Sequence, residues 1–478
     1  MSNESIITRL LHEERPISLK EKLNVVFRLS LPGILAQITE ILMQYIDAAM
    51  VGVLGAAASA SIGLVSSTTW LIGGLVMSSA TGFAVQVAQA IGANNLNKAK
   101  NIFKQSLLVC LLLAILIAFG SYQIAQHLPA WLGADPSIWK DATDYLSLYC
   151  FFIPIRMLNF LSLSMLQCSG NMKTPSLISA LECIFDVIFN FFLIFPTREI
   201  TLFGMTMWMP GAGLGVRGAQ LGTSLSFLVG MLPALYYACI KSPQLSLFDA
   251  PKGIQIEPEV LKNALHISIP MAFENSALCL AQIISTKIVA PLGTVAIAAN
   301  SFAVTAESIC YMPGYGISSA ATTLVGQSVG AKRKDLARSF AWLTTFSGMA
   351  IMTIMGILMY FLCPYVFQFL TPDVNVQTLG TQVLRIELFA EPLFAASIVA
   401  TGAMRGAGDT FVPGLLNLIS IWGVRIGLSL FLVPRMGLAG AWIAMSIELN
   451  VRGILFLIRL KKERWLKKHF TSEVVYES

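Results

Sequence analysis

Residues 29–37 read LSLPGILAQ, and residues 267–275 read ISIPMAFEN. Each places a proline fourth in an apolar run, and a shift of 238 positions carries Pro32 onto Pro270. The same shift relates Gln44 to Gln282, Gly55 to Gly293, Gln89 to Gln327, Gly92 to Gly330, Pro154 to Pro392, Gly170 to Gly408 and Pro175 to Pro413. One gapless register over about 150 residues marks an internal duplication. Further along, the shift falls to 222, relating Gly215 and Gly218 to Gly437 and Gly440. The first copy therefore holds 16 extra residues around TREITLFGMTMWMPG (197–211).

Composition says what is duplicated. Of 478 residues, 55% are hydrophobic and only 12% charged, against about 25% charged in soluble domains. Twelve apolar stretches of about 20 residues can be traced, each long enough to cross a bilayer as a helix. An even number of spans per copy leaves both copies running the same way. The expected fold is thus an all-α integral membrane protein, with twelve transmembrane helices in two six-helix lobes. A pseudo-two-fold axis along the membrane normal should relate the lobes, with a substrate site at their interface. The expected segments are 1–22 (N-terminal), 23–241 (first lobe), 242–258 (polar linker), 259–460 (second lobe) and 461–478 (basic tail).

Lys and Arg orient the chain. With the N-terminus in the cytoplasm, Arg9, Arg15, Lys20, Lys22, Lys98, Lys100, Lys104, Lys173, Lys252, Lys262, Lys332, Arg333, Lys334, Arg338, Arg405 and the run from Arg459 to Lys468 all lie inside. The opposite loops hold only Lys140, Arg198, Arg217 and Arg435. Both termini are then cytoplasmic, in a plasma membrane, and the net charge of +6 follows from this bias rather than from a nucleic-acid partner. The eight cysteines form no C-x-x-C pair and the four histidines have no zinc spacing, so neither a metal site nor a cofactor is expected. No catalytic residues are expected either: H-E-x-x-H, D-D-x-x-D and a Ser or Cys beside a His base are all absent from the sequence. A removable signal peptide is not evident in residues 1–22.

The polar residues inside the spans carry the functional signal. Gln37, Glu40, Gln44 and Asp47 fall in a stripe roughly 80° wide on the first helix, so all four can point into the bundle together. Glu182, Asp186 and Asn190 repeat at four-residue spacing on the fifth. By helical rise, Asp47 lies about 12 Å from the outer end of its helix, and Asp186 and Asn190 lie about 15 and 9 Å below Pro196. Thr223 on the sixth helix reaches a similar depth. The second lobe offers Glu274, Glu307 and Glu391, with Glu387 and Arg385 beside the last of these as a possible ion pair. None of these acids is duplicated: Asp47 matches Ser285, Asp186 matches Val424 and Glu391 matches Ile153. An acid at the bilayer centre costs about 2.5–3.5 kcal/mol on insertion scales, so intramembrane acids are functional candidates by default. A carboxyl in such a pocket can exchange a proton or bind a small cation through hard oxygens.

YIDAAMVGVLG (45–55), GQSVGAKRKDLAR (326–338) and GAMRGAGDTFVP (402–413), together with the double repeat, resemble the multidrug and toxic compound extrusion (MATE) family over almost the whole chain. The resemblance implies a V-shaped pair of six-helix lobes and cation-coupled export of amphipathic organic cations. Carried over by motif, Asp47 matches the family's first-helix acid, Asp186 and Asn190 match two fifth-helix positions, and Thr223 matches a sixth-helix threonine of the same site. The fifth-helix pair departs from the usual order, the earlier residue here being the acid, which leaves H⁺ and Na⁺ both open as coupling ion. Glu274 matches a seventh-helix glutamate of one branch, whose tenth-helix acid is replaced here by Phe394.

The expectation is a secondary-active multidrug antiporter working by alternating access. Its partners are small amphipathic cations and the lipid bilayer, and it works as a monomer. The alternative is a flippase or exporter of a lipid-linked or other small amphipathic metabolite on a related fold.

Overall fold

The structure, a computed structural model, describes residues 3–13, 15–202, 205–248, 253 and 255–466. A short helix, Asn3–His12, precedes the spans. These are α1 (Leu19–Gly52), α2 (Ala56–Gly92), α3 (Leu96–Ala125), α4 (Pro136–Phe151 and Ile153–Cys168), α5 (Lys173–Ile194) and α6 (Gly215–Tyr236) in the first lobe. In the second lobe they are α7 (Pro258–Val289), α8 (Thr294–Gly330), α9 (Lys334–Leu370), α10 (Val374–Glu387 and Glu391–Gly406), α11 (Phe411–Met436) and α12 (Leu438–Lys462). Ten are unbroken helices long and apolar enough to cross a membrane. At 1.5 Å per residue, the 37-residue α8 and α9 are about 55 Å long, so they extend well past a hydrocarbon core of about 30 Å.

The two broken spans break at matched places. In α4 the halves bend by 50° around Phe152, just before Pro154; in α10 a tight turn at Leu388–Ala390 precedes Pro392. Each proline removes one backbone donor and clashes with the preceding turn, which ends the first half-helix. A proline repeated in the sequence thus becomes a helix break repeated in space.

Two of the expected segments differ from the plain helical picture. The 16 extra residues form an antiparallel hairpin of β1 (Pro196–Leu202) and β2 (Met205–Ala212), with Glu199 opposite Trp208. This hairpin prolongs α5 and α6, and it identifies one face of the molecule. The segment after α6 is also not a free linker: Leu245 is fully buried, and Asn101 and Gln105 of α3 bond to Gln255 and Glu257. Lys252 and the basic tail beyond Leu466 lie outside the described residues.

Both ends of the described chain lie on the face opposite the hairpin, here the terminus face. Ile7, Leu10 and Leu11 of the short first helix are buried with Leu324, Leu336 and Leu460 of α8, α9 and α12, and Arg333 donates to the carbonyls of Leu11 and Glu13. Glu463, after α12, pairs with Lys334 and Arg338.

The lobes meet through α1 and α2 of the first and α7 and α8 of the second. Near the terminus face the contact is pseudo-symmetric at the level of single atoms. Gln89 Nε2 donates to the Gly406 carbonyl at 3.0 Å, and its repeat mate Gln327 donates to the Cys168 carbonyl at 2.8 Å. A Cβ on Gly92 would collide with the Gln327 carbonyl, and one on Gly330 with the Gln89 carbonyl. The repeated Gly and Gln residues therefore bring two backbones together across the axis. Inter-lobe hydrogen bonds continue to Asn275, which donates to Ser78 Oγ at 3.0 Å, and to Tyr45, which donates to the Thr305 carbonyl at 2.5 Å. Beyond Tyr45, toward the hairpin face, no inter-lobe hydrogen bond occurs among the described residues. The lobes are closed at the terminus face and unlinked at the other.

Each glutamine bond contributes about 0.5–1.5 kcal/mol to this closure. Gln89→Ala and Gln327→Ala should each raise the population open at the terminus face by about 2- to 10-fold, and by similar amounts. Distances between spin labels on the ends of α2 and α8 check this; a large effect from one variant and none from the other contradicts the shared latch.

Candidate functional site

Three helices converge on one buried polar cluster in the first lobe. Asp47 comes from α1, Asp186 and Asn190 from successive turns of α5, and Thr223 from α6. Asn190 Nδ2 donates to Asp47 Oδ1 at 2.7 Å and to Asp186 Oδ2 at 3.0 Å. Thr223 Oγ1 lies 3.4 Å from Asp47 Oδ2 and donates also to the Ala219 carbonyl. Asp186 and Asn190 are wholly buried, while Asp47 and Thr223 are half-buried. α6 can come this close because Gly222 lies against the Asn190 amide, where any Cβ would overlap it.

The charge balance of the cluster is its main chemical feature. Two carboxyls share one amide donor, and among the described residues no Lys or Arg makes an ion pair with either. Asp186 Oδ1 and Asn190 Oδ1 are buried with no hydrogen-bond partner. Together with Asp47 and the Thr223 hydroxyl they form a set of hard oxygens, suited to a proton or a small monovalent cation. Such a cation would supply the positive charge that the protein does not.

One turn further from the hairpin on α5, Glu182 Oε1 accepts from Asn159 Nδ2 of α4 at 2.7 Å, and Gly230 of α6 makes room for the Glu182 carboxyl. Glu40 of α1 and Arg156 of α4 lie within electrostatic reach of Glu182. Gln37 is half-buried on the same α1 stripe, while Glu40 and Gln44 are accessible. The polar stripes of α1 and α5 thus face each other on two levels.

The second lobe treats its acids differently. Glu274 accepts from Asn417 Nδ2 at 2.5 Å and pairs with Arg405 at 3.8 Å. Glu448 of α12 accepts from Ser420 and Arg425 and pairs with Arg452 at 3.0 Å; Asp409 pairs with Arg459. Arg385, adjacent in sequence to Glu387, does not neutralise it: the guanidinium donates to the Tyr360 carbonyl and lies over the Tyr360 ring. Helical rotation explains this, since positions two apart point to different sides. Glu387 and Glu391 are fully buried with all four carboxyl oxygens unbonded, and Glu307 is buried within electrostatic reach of both. Glu274 differs from this trio in having its carboxyl engaged by Arg405 and Asn417. Among the described residues, no cluster of three or more His, Cys, Asp or Glu is arranged to hold a metal ion.

The MatE family model matches residues 32–192 and again residues 270–431, its two copies following the internal repeat. This chain belongs to the MATE family. Curated relatives include the proteins designated probable multidrug resistance protein NorM from Thermotoga maritima, 24% identical over 460 residues with 95% of each chain covered, and from Idiomarina loihiensis, 27% identical over 470 residues with 95% of this chain and 98% of that one covered. Multidrug resistance protein MdtK of Yersinia pestis is 23% identical over 464 residues, covering 94% and 96%. A MATE transporter of the MOP superfamily solved in an outward-facing conformation superposes with a TM-score of 0.84 at 19% identity, covering 98% of this chain and 99% of that one. The MATE fold of twelve helices in two lobes is therefore that of this chain, and its family is one of membrane transporters rather than enzymes.

Other parts of this MATE site went unnoticed in the sequence. Asn159 and Arg156 follow the α4 break, and nothing in their spacing pairs them with α5. The Glu448–Arg452 pair was readable as a Glu and Arg four residues apart on one helix face. Asn190→Leu removes the amide that both acids share and should lower the unfolding free energy by about 1.5–3 kcal/mol. Thr223→Val, which removes a long and weak bond, should cost under about 1 kcal/mol. Thermal unfolding in detergent measures both, and equal losses contradict the central place given to Asn190.

Proposed function

We propose that this chain is a secondary-active antiporter, exporting small amphipathic organic cations in exchange for H⁺ or Na⁺ by alternating access. The observation that carries the reading is the Asp47–Asn190–Asp186 cluster: two carboxyls in one buried site, held by an amide and, among the described residues, in no ion pair with a basic side chain. The names of the NorM and MdtK relatives support the substrate class. The bias of Lys and Arg toward the terminus face supports a plasma membrane location with both termini cytoplasmic, and the protein works as a monomer.

With the latch closed on the cytoplasmic side, the Asp47 cluster is reached from outside. Taking up H⁺ or Na⁺ there cancels negative charge and weakens the hold on a cationic substrate, which leaves outward. When the latch opens, the ion is lost to the cytoplasm and the carboxyls again attract an organic cation. Ion binding moves this equilibrium only through different affinities for the two states. The second-lobe trio Glu307, Glu387 and Glu391 adds buried acids able to hold protons within the moving lobe, while Glu274, engaged by Arg405 and Asn417, fixes α7 to α10 and α11.

Inside-out vesicles carrying a fluorescent organic cation test the reading when ΔpH and ΔNa⁺ are imposed separately. Wild type should accumulate the cation under one gradient, and Asp47→Asn should lose at least about 90% of that gradient-driven uptake, as expected when an ion site within the membrane is removed. Full uptake by Asp47→Asn under both gradients overturns the site, and no uptake by wild type under either overturns the function.

A further inference from the structure

The first lobe also holds a cation of its own. Arg156 lies in the first turn after the α4 break, with its guanidinium carbon 5.2 Å from the Tyr149 ring centroid and 4.7 Å from that of Phe227. Among the described residues its guanidinium makes no ion pair and no hydrogen bond, although it carries five donors. Two aromatic faces are what hold it. Its charge acts on Glu40 and Glu182 without direct contact with either.

The second lobe provides the control. The repeat mate of Arg156 is Phe394, and there the cation arrives from another helix: Arg452 of α12 lies 5.3 Å from the Phe394 ring centroid. Arg452 is also tied to Glu448 at 3.0 Å, which fixes it in place. Both lobes therefore keep a guanidinium over an aromatic ring at the break, but only the second anchors it with a carboxylate. Arg156 is half-exposed on a long side chain, so it can leave its position without breaking an ion pair.

We infer that the position between Tyr149 and Phe227 receives the flat cationic group of the transported molecule, and that Arg156 is a resident competitor displaced when substrate enters. This rests on the reading of the chain as an exporter of organic cations, and it refines the substrate class. A position already filled by a planar guanidinium beside two rings, near Glu40 and Glu182, suits a planar, delocalised cation of the guanidinium, amidinium or aromatic iminium type, which can stack as arginine does. Glu182, held by Asn159, and accessible Glu40 provide two carboxyl groups within electrostatic reach of this position. The competitor sets a threshold: a cation that binds the rings no better than arginine gains nothing by entering.

Equilibrium binding to purified protein in detergent tests the inference, with ethidium as the planar probe and tetraethylammonium as the tetrahedral one. Arg156→Gln should tighten ethidium binding by about 2- to 30-fold, the range of an aromatic–cation contact, and change tetraethylammonium binding by less than about twofold. Arg156→Lys, which keeps a cation but stacks less well, should fall between wild type and Arg156→Gln for ethidium. In wild type, arginine-selective labelling by phenylglyoxal, mapped by mass spectrometry, should rise at Arg156 when ethidium is added, a readout that needs no variant to fold. Unchanged or weaker ethidium binding in Arg156→Gln, or labelling that does not rise, overturns the displacement while leaving the exporter reading in place. Failure of wild type to bind either cation overturns both.

Discussion

The structure depends on two carboxyls that share a single amide donor in a buried site, with no basic partner in an ion pair among the described residues. A buried charge without a counter-charge is unfavourable by several kcal/mol, and elsewhere in this molecule that problem is solved with arginine. Glu448 is bonded to Arg425 and Arg452, Asp409 to Arg459, and Glu274 to Arg405. At Asp47 and Asp186 no ion pair with a basic residue occurs among the described residues, and under the proposed function the coupling ion takes that place. That difference separates a polar patch that fixes helices from one that senses an ion.

Under the proposed function, the scaffold would convert this local charge balance into a choice between two shapes. α1 belongs to both lobes: it carries Asp47 against α5, and Tyr45, two residues away, bonds to α8. A change in how Asp47 is held would thus reach the inter-lobe contact through about half a turn of helix. On the terminus face, the closure rests on repeated Gln and Gly residues that meet reciprocally, Gly92 against Gln327 and Gly330 against Gln89. Small residues and a few hydrogen bonds bring the backbones close, beside apolar contacts such as Val85 with Ile267 and Met271.

Much of this could be read from the sequence, for definite reasons. The duplication was legible because backbone-shaping residues, Pro154 with Pro392 and Gly92 with Gly330, keep their spacing when side-chain identities drift. The first-lobe cluster was legible because helical rise fixes depth, and depth alone brought Asp47, Asp186, Asn190 and Thr223 to one level. The hairpin was not: TREITLFGMTMWMPG shows up as an insertion, but its strand pairing depends on the ends of α5 and α6 holding it. Arg156 was missed because its partners lie on α6 and in the other half of α4. The second-lobe acids were legible as candidates, but the partners that distinguish them, Arg405 and Asn417 at Glu274 and none at Glu387 and Glu391, lie on other helices. Spacing along a helix reports depth and face well, and it reports nothing about which neighbour that face meets.

The central claim is that the coupling ion and an organic cation compete for the same first-lobe negative charge. The direct test is the dissociation constant of a cationic dye for purified protein, measured across pH at fixed Na⁺ and across Na⁺ at fixed pH. In the range where the ion occupies the site, the account predicts that affinity falls about tenfold for each tenfold rise in one of the two ions, as one-for-one competition requires, and that an Asp47→Asn, Asp186→Asn double variant loses this dependence. A dissociation constant in wild type that is indifferent to both ions over three decades of each would contradict it.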